Sequence, residues 1–182
     1  MKKISTLFKK DPNDLGRVIN EINPENEWAL TGGFATRKYD GTASAVINGE
    51  LYKRYDVKRG KSVPKGAIPC QEPDLITGHW PHWIKCDRNN KADQYHFKAF
   101  DSEHGSFQDG TYELCGPKIQ GNPERLTEHM LIPHGQTEVV TGRSFESIKR
   151  ALTVLDIEGI VFHYPLTGQM CKIRKSDFGI KR

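Results

Sequence analysis

Asn48-Gly49 stands between two runs of strand-like residues, TASAVI (42–47) and ELYKRYDV (50–57). Asn-Gly in that position is the strongest short hairpin signal, because a two-residue turn that matches strand twist needs positive φ at both centres. The hairpin commits this part of the chain to antiparallel sheet. It also sets Lys38 at the hairpin entrance and Arg54 on the return strand. EGIVFHY, the turn PLTG and QMCKIRK (158–175) form a second, C-terminal hairpin by the same reasoning. QYHFKAF (94–100) and TYELCG (111–116) read as strands around the turn HGSFQDG.

Helical periodicity appears twice. In SFESIKRALTVL, Ser144 can cap, and Phe145, Ile148, Leu152 and Leu155 fall on one face. In DPNDLGRVINEI, Asp11 or Asp14 can cap, and Leu15, Val18 and Ile22 recur at roughly helical spacing. The expected class is α+β, with antiparallel sheets predominating and helices flanking them. The 182 residues suit one domain, residues 1–182, with no repeat or linker dividing it.

Hydrophobic residues make up 36% and charged residues 27%, a polar but globular composition. No segment approaches the roughly 20 apolar residues needed to cross a bilayer, so no membrane partner is expected. MKKISTLFKKDPNDLG is basic but has no apolar core for a signal peptide. Cys70, Cys86, Cys115 and Cys171 contain no C-x-x-C pair, and reduced thiols in a cytoplasmic protein are the expectation. The net charge of +4 permits a polyanion partner without requiring one. His79, His82 and Cys86, with Cys70 upstream, match no standard zinc-finger spacing. The two tryptophans and the proline of GHWPHWIKC favour a packed loop or short hairpin there.

The last strand carries the first chemical hint. Side chains alternate along a strand, so Lys172 and Arg174 share one face while Cys171 and Ile173 share the other. Paired cations repel unless an anion lies between them. They also protect an edge strand, and both readings stand at this level. Glu158, at the start of EGIVFH, could form a plain salt bridge across the hairpin or hold hydrated Mg²⁺. Glu113 sits in a strand three residues before Gly116, where backbone could approach a ligand. Lys38 and Asp40 in KYDG could be turn residues or a nucleophile with its partner.

Taken in order, KYDG, KRYD, YELCG, EGIVFH and KIR resemble the motif series of the covalent nucleotidyltransferases, the ATP-dependent nucleic-acid ligases and mRNA capping enzymes. ELCGPKIQGNPERL, MLIPHG, CKIRK and GHWPHW are similar to elements of stand-alone 5′-to-3′ RNA ligases. The resemblance runs from about Leu30 to the end. Two positions depart from it: Arg174 stands where many ligases have lysine, and Arg37 stands before the nucleophile where RNA ligases often have glutamate.

The resemblance implies a nucleotidyltransferase (ATP-grasp-like ligase catalytic) domain and a three-step RNA ligase reaction. ATP adenylylates the enzyme's own lysine (auto-AMPylation), AMP moves to an RNA 5′-phosphate, and an RNA 3′-hydroxyl displaces it, as in RNA repair. Lys38 would be the nucleophile. Free lysine has a pKa of about 10.4, so neighbouring Lys172, Arg174 and Mg²⁺ (or Mn²⁺) would favour its neutral form. Asp40 would orient metal-bound water or leaving pyrophosphate, and Glu158 would hold metal water. Glu113 would accept from ribose hydroxyls, and Arg54 would grip ribose or the RNA 5′-phosphate. His134 would stack on adenine, with Phe100 as the second choice. The chain ends eight residues after Arg174, so no C-terminal OB domain is expected. RNA would then meet the catalytic domain's own basic surface, with Lys53, Lys58, Arg59 and Lys61 as candidates. A minimal nick-sealing DNA ligase and a degenerate ligase fold that only binds RNA are the alternatives.

Overall fold

In the computed structural model, which describes residues 3–74, 78–102 and 106–182, the chain is an α+β protein. Its strands are β1 (Ser5–Thr6), β2 (Phe8–Lys10), β3 (Val18–Ile22), β4 (Phe34–Lys38), β5 (Thr42–Ile47), β6 (Glu50–Val57), β7 (Ile68–Pro69), β8 (Trp80–Lys85), β9 (Gly110–Cys115), β10 (Met130–Pro133), β11 (Gly159–Tyr164) and β12 (Gln169–Arg174). Helix α1 is Gln94–Ser102 and α2 is Phe145–Val154. All strand pairs are antiparallel except β1 with β12. The chain divides into two compact units, one of Met1–Lys3 with Asp40–His134 and one of Ile4–Tyr39 with Gly135–Arg182.

The Asp40–His134 unit is built on a six-stranded sheet in the order β10-β9-β5-β6-β8-β7. Asn48 (φ 52°) and Gly49 (φ 74°) make the expected turn between β5 and β6. Asp109 secures that turn by accepting from both backbone amides, at 2.6 Å from Asn48 and 3.0 Å from Gly49. Val46, Leu51, Tyr112, Leu114 and Leu131 bury themselves with Ala99 of α1. Gly41 is set by close approach: a Cβ there would lie 2.2 Å from the Leu114 carbonyl oxygen. The glycine of KYDG therefore lets the start of β5 run against β9.

QYHFKAF forms the first seven of the nine residues of α1, not a strand. Tyr95, Phe97 and Ala99 alternate like a strand, but the sites that are buried, His96 and Ala99, are three apart, as a helix requires. Asn90 starts the turn that leads into α1, its side chain accepting from the Ala92 amide at 3.0 Å. The expected turn HGSFQDG lies partly outside the described residues. Gly116 (φ 148°) comes close to the chain at His129, where a Cβ would lie 2.8 Å from the His129 Cα.

The other unit has a four-stranded sheet, β1-β12-β11-β4, and the hairpin β2-β3. Ile160, Phe162, Cys171 and Ile173 are fully buried with Leu7, Ile148 and Leu152. Ser144 caps α2 as expected, accepting from the Ser147 amide at 3.2 Å. The helix expected over 11–22 does not form. Asp11 and Asp14 accept from the amides two residues on, Asn13 at 2.8 Å and Gly16 at 2.9 Å, so their carboxylates make local turns instead of capping. Val18–Ile22 then pairs with β2, and Leu15 is exposed.

Candidate active site

Within the Ile4–Tyr39 and Gly135–Arg182 unit, strand register gathers four of the candidate residues. Gly159 of β11 lies opposite Lys38 of β4 on one side and Arg174 of β12 on the other. Val161 likewise lies between Thr36 and Lys172. Directly paired residues share a sheet face, so Lys38, Lys172 and Arg174 project from the same face. Cys171 and Ile173 point to the core. Gly159 places no side chain between Lys38 and Arg174, and a Cβ there would meet the Ile173 carbonyl oxygen at 2.4 Å.

Lys38 forms an ion pair with Glu158 and also donates to the Tyr39 carbonyl at 3.3 Å. Glu158 thus pairs with the candidate nucleophile on β4, a partner other than the cations across its own hairpin that the sequence offered. Lys172 is held well below the ordinary lysine pKa, at about 8. Burial is the main cause; the Lys38 and Arg174 charges add to it, while Glu158 and Asp177 oppose it. Arg174 is fixed by a residue that the sequence reading did not single out. Its Nη2 donates to Asp177 Oδ1 at 2.9 Å, and its backbone amide to Oδ2 at 2.8 Å. Asp177 is fully buried and also accepts from Lys10 Nζ at 2.7 Å. Burial opposes the Asp177 charge, but the Arg174 and Lys10 hydrogen bonds outweigh it and keep the carboxyl below the usual range. The same bond raises the Arg174 pKa. The spacing of Asp177 three residues after Arg174 was a readable signal. Lys10, 167 residues away from Asp177, left none.

Arg37 projects from the opposite face to Lys38. Its guanidinium lies 4.7 Å from the centroid of the Tyr39 ring, and Nη2 reaches the Asp156 carbonyl at 3.4 Å.

In the Asp40–His134 unit, Glu113 and His134 come together. Glu113 Oε1 accepts from the Gly41 amide at 3.1 Å, and Oε2 lies 2.9 Å from His134 Nε2. His134 Nδ1 lies 3.0 Å from Thr111 Oγ1. The edge of the imidazole is therefore engaged through both nitrogens. The Asp40 amide donates to Glu124 at 2.9 Å. Arg54, opposite Trp83 on β6, donates from Nε to Asp56 at 3.3 Å.

Phe100 and Lys53 are placed differently from expectation, whereas the packed reading of GHWPHWIKC holds. Phe100 stacks on Phe107, centroids 5.5 Å apart, and packs on the unit's core, which uses the ring as structure. Lys53 is paired with buried Asp93, whereas Lys58, Arg59 and Lys61 are exposed. His82 is buried in β8 beside Trp80, its Nδ1 2.9 Å from the Trp80 carbonyl oxygen. Among the described residues, His79, His82, Cys70 and Cys86 do not come together as a ligand set.

No protein-family model matches the chain. The chain is similar to RNA ligase 1 of Pongo abelii. The two are 27% identical over 164 residues, covering 66% of this chain and 49% of the relative. The chain thus spans about half the length of the curated relative it matches. Among the described residues, no helix is long and apolar enough to cross a membrane.

Proposed function

We propose that the chain is an ATP-dependent RNA ligase with a nucleotidyltransferase fold, joining 5′-phosphate and 3′-hydroxyl RNA ends through a lysyl-AMP intermediate. One observation carries this reading: Lys38, Glu158, Lys172 and Arg174 gather on adjacent strands of a chain similar to RNA ligase 1. In the first step Lys38 Nζ attacks the α-phosphorus of ATP. A P–N bond forms, the bond from the α-phosphorus to the bridging oxygen breaks, and pyrophosphate leaves. A 5′-phosphate oxygen of RNA then attacks the adenylyl phosphorus and releases Lys38. Finally the RNA 3′-hydroxyl attacks the activated 5′-phosphorus, gives up its proton and expels AMP.

Attack requires the Lys38 ammonium to leave its ion pair with Glu158 and give up a proton to solvent, since only the neutral amine carries a lone pair. Lys172 and Arg174 would neutralise charge on the phosphoryl oxygens as the α-phosphorus passes through its transition state. Glu113 would accept from ribose hydroxyls, with His134 setting the carboxylate's orientation. This differs from the adenine platform that the sequence suggested for His134. Arg54 would bind ribose or the RNA 5′-phosphate.

The donors fit Mg²⁺ in its usual mode, one or two carboxylates completed by water and phosphate oxygens. Among the described residues, neither Glu158 nor Asp40 belongs to a cluster of three acidic, histidine or cysteine ligands, as an all-protein cage would need. Glu158 would hold the ion through its water shell. When bound, Mg²⁺ would stabilise negative charge on the phosphates.

A joining assay with nicked RNA, nicked DNA and single-stranded RNA tests the substrate. The proposal expects ATP-dependent sealing of RNA carrying a 5′-phosphate and a 3′-hydroxyl. Preferential sealing of nicked DNA would favour the minimal DNA ligase instead.

A further inference from the structure

His96 on α1 is 7% exposed, and among the described residues neither of its ring nitrogens has a hydrogen-bond partner. A buried polar group left this way has given up its solvation without compensation. Its surroundings suggest what the imidazole is for. Cys86, immediately after β8, is 6% exposed, and Asp93, in the turn leading into α1, is 1% exposed. One ligand atom from each of Cys86, Asp93 and His96 lies within 4.8 Å of the others. We propose that Cys86, Asp93 and His96 form a binding site for a zinc-class divalent cation, independent of the adenylylation residues.

The donor set selects the metal class. Sulfur and imidazole ligands exclude Mg²⁺ and Ca²⁺, which take oxygen, and suit Zn²⁺ or Co²⁺. Zn–N bonds of about 2.0–2.1 Å and Zn–S bonds of about 2.3 Å separate tetrahedral ligands by roughly 3.3–3.8 Å. Three side chains within 4.8 Å need to close by about 1 Å to reach that geometry. A water would complete the four ligands.

Lys53 explains how the metal-free protein tolerates the site. Its ammonium is paired with Asp93 Oδ1, and the Asp87 amide donates to Oδ2 at 3.0 Å. The Lys53 side chain retains 22% exposure, so the ammonium can withdraw to solvent when a metal arrives. The Cys86 S–H bond breaks on binding and its proton passes to the buffer. Thiolate, carboxylate and dication then balance to zero charge in the buried pocket. The Lys53–Asp93 pair accounts for the carboxylate without metal, but nothing in the metal-free state accounts for the imidazole. The cation would fasten α1 to the strand end at Cys86.

The test uses the full chain, stripped with a chelator and titrated with Co²⁺. One equivalent should produce a thiolate-to-cobalt charge-transfer absorption that Zn²⁺ removes. Zn²⁺ at about a hundred times its Kd should raise the thermal midpoint by roughly 5–10 °C. Cys86→Ala should abolish the absorption, while Cys70→Ala retains it. His96→Leu should weaken binding at least about tenfold and leave the metal-free protein as stable as the parent or more so. Absence of the absorption in the parent protein overturns the site. So does an absorption that survives both Cys86→Ala and His96→Leu.

Discussion

Asp177 shows how much of a candidate active site depends on a residue that touches no substrate. It holds Arg174 through the guanidinium and the backbone amide, and it receives Lys10 from a distant strand. Asp177→Ala should cost about 1–3 kcal/mol, because it leaves two cations without their shared acceptor. Urea denaturation measures that loss, and adenylylation should slow with it as Arg174 loses its orientation. Lys172 gives a prediction of the opposite kind. The folded protein releases its proton near pH 8, and the unfolded chain holds it until the ordinary value of 10.5. Between those values the unfolded state binds more protons, so this residue's contribution to stability rises with pH. Below about pH 8 its buried charge is a full cost, on the order of 3–4 kcal/mol. Lys172→Met should remove this rise, seen by comparing denaturation midpoints of parent and variant from neutral pH to about pH 10.

Among the elements, Gly159 matters most because it joins Lys38 and Arg174 across three strands. Gly159→Ala should destabilise the sheet by about 1–3 kcal/mol, since the new methyl meets backbone that cannot swing aside. Thermal unfolding, paired with an adenylylation assay, checks both the packing and the site. Elements with one dominant local signal were readable in the sequence: the Asn48-Gly49 hairpin, the Ser144-capped α2, and the alternation that buries Cys171 and Ile173 while turning Lys172 and Arg174 to the other face. Two elements were misread because local signals conflicted. Asp11 and Asp14 can cap a helix or close a turn, and Gly16 gives the turn its exit. Tyr95, Phe97 and Ala99 alternate like a strand inside a helix. The His134–Glu113 contact depends on the register of β9 and β10, and the Lys10–Asp177 pair on tertiary packing. Neither is written in residue spacing.

For the molecule as a whole, the candidate residues divide between the two units. Lys38, Glu158, Lys172 and Arg174 lie in one, and Asp40, Arg54, Glu113 and His134 in the other. Lys58, Arg59 and Lys61 are exposed and are the proposed phosphate contacts, while Lys53 is paired with Asp93. RNA binding should weaken steeply with salt. Replacing all three exposed cations with alanine should reduce the slope of log K against log salt by about 2, at roughly 0.7 per contact on single strands. An unchanged slope would move the RNA-binding surface elsewhere on the protein.

The proposed function rests on Lys38 acting as a nucleophile toward ATP. Incubation with ATP labelled at the α-phosphate and Mg²⁺, followed by denaturation, tests it directly. A nucleophilic Lys38 should give a covalent, acid-labile adduct on the parent chain that is absent from Lys38→Ala. An adduct that persists in Lys38→Ala, or none on the parent with either Mg²⁺ or Mn²⁺, would contradict it.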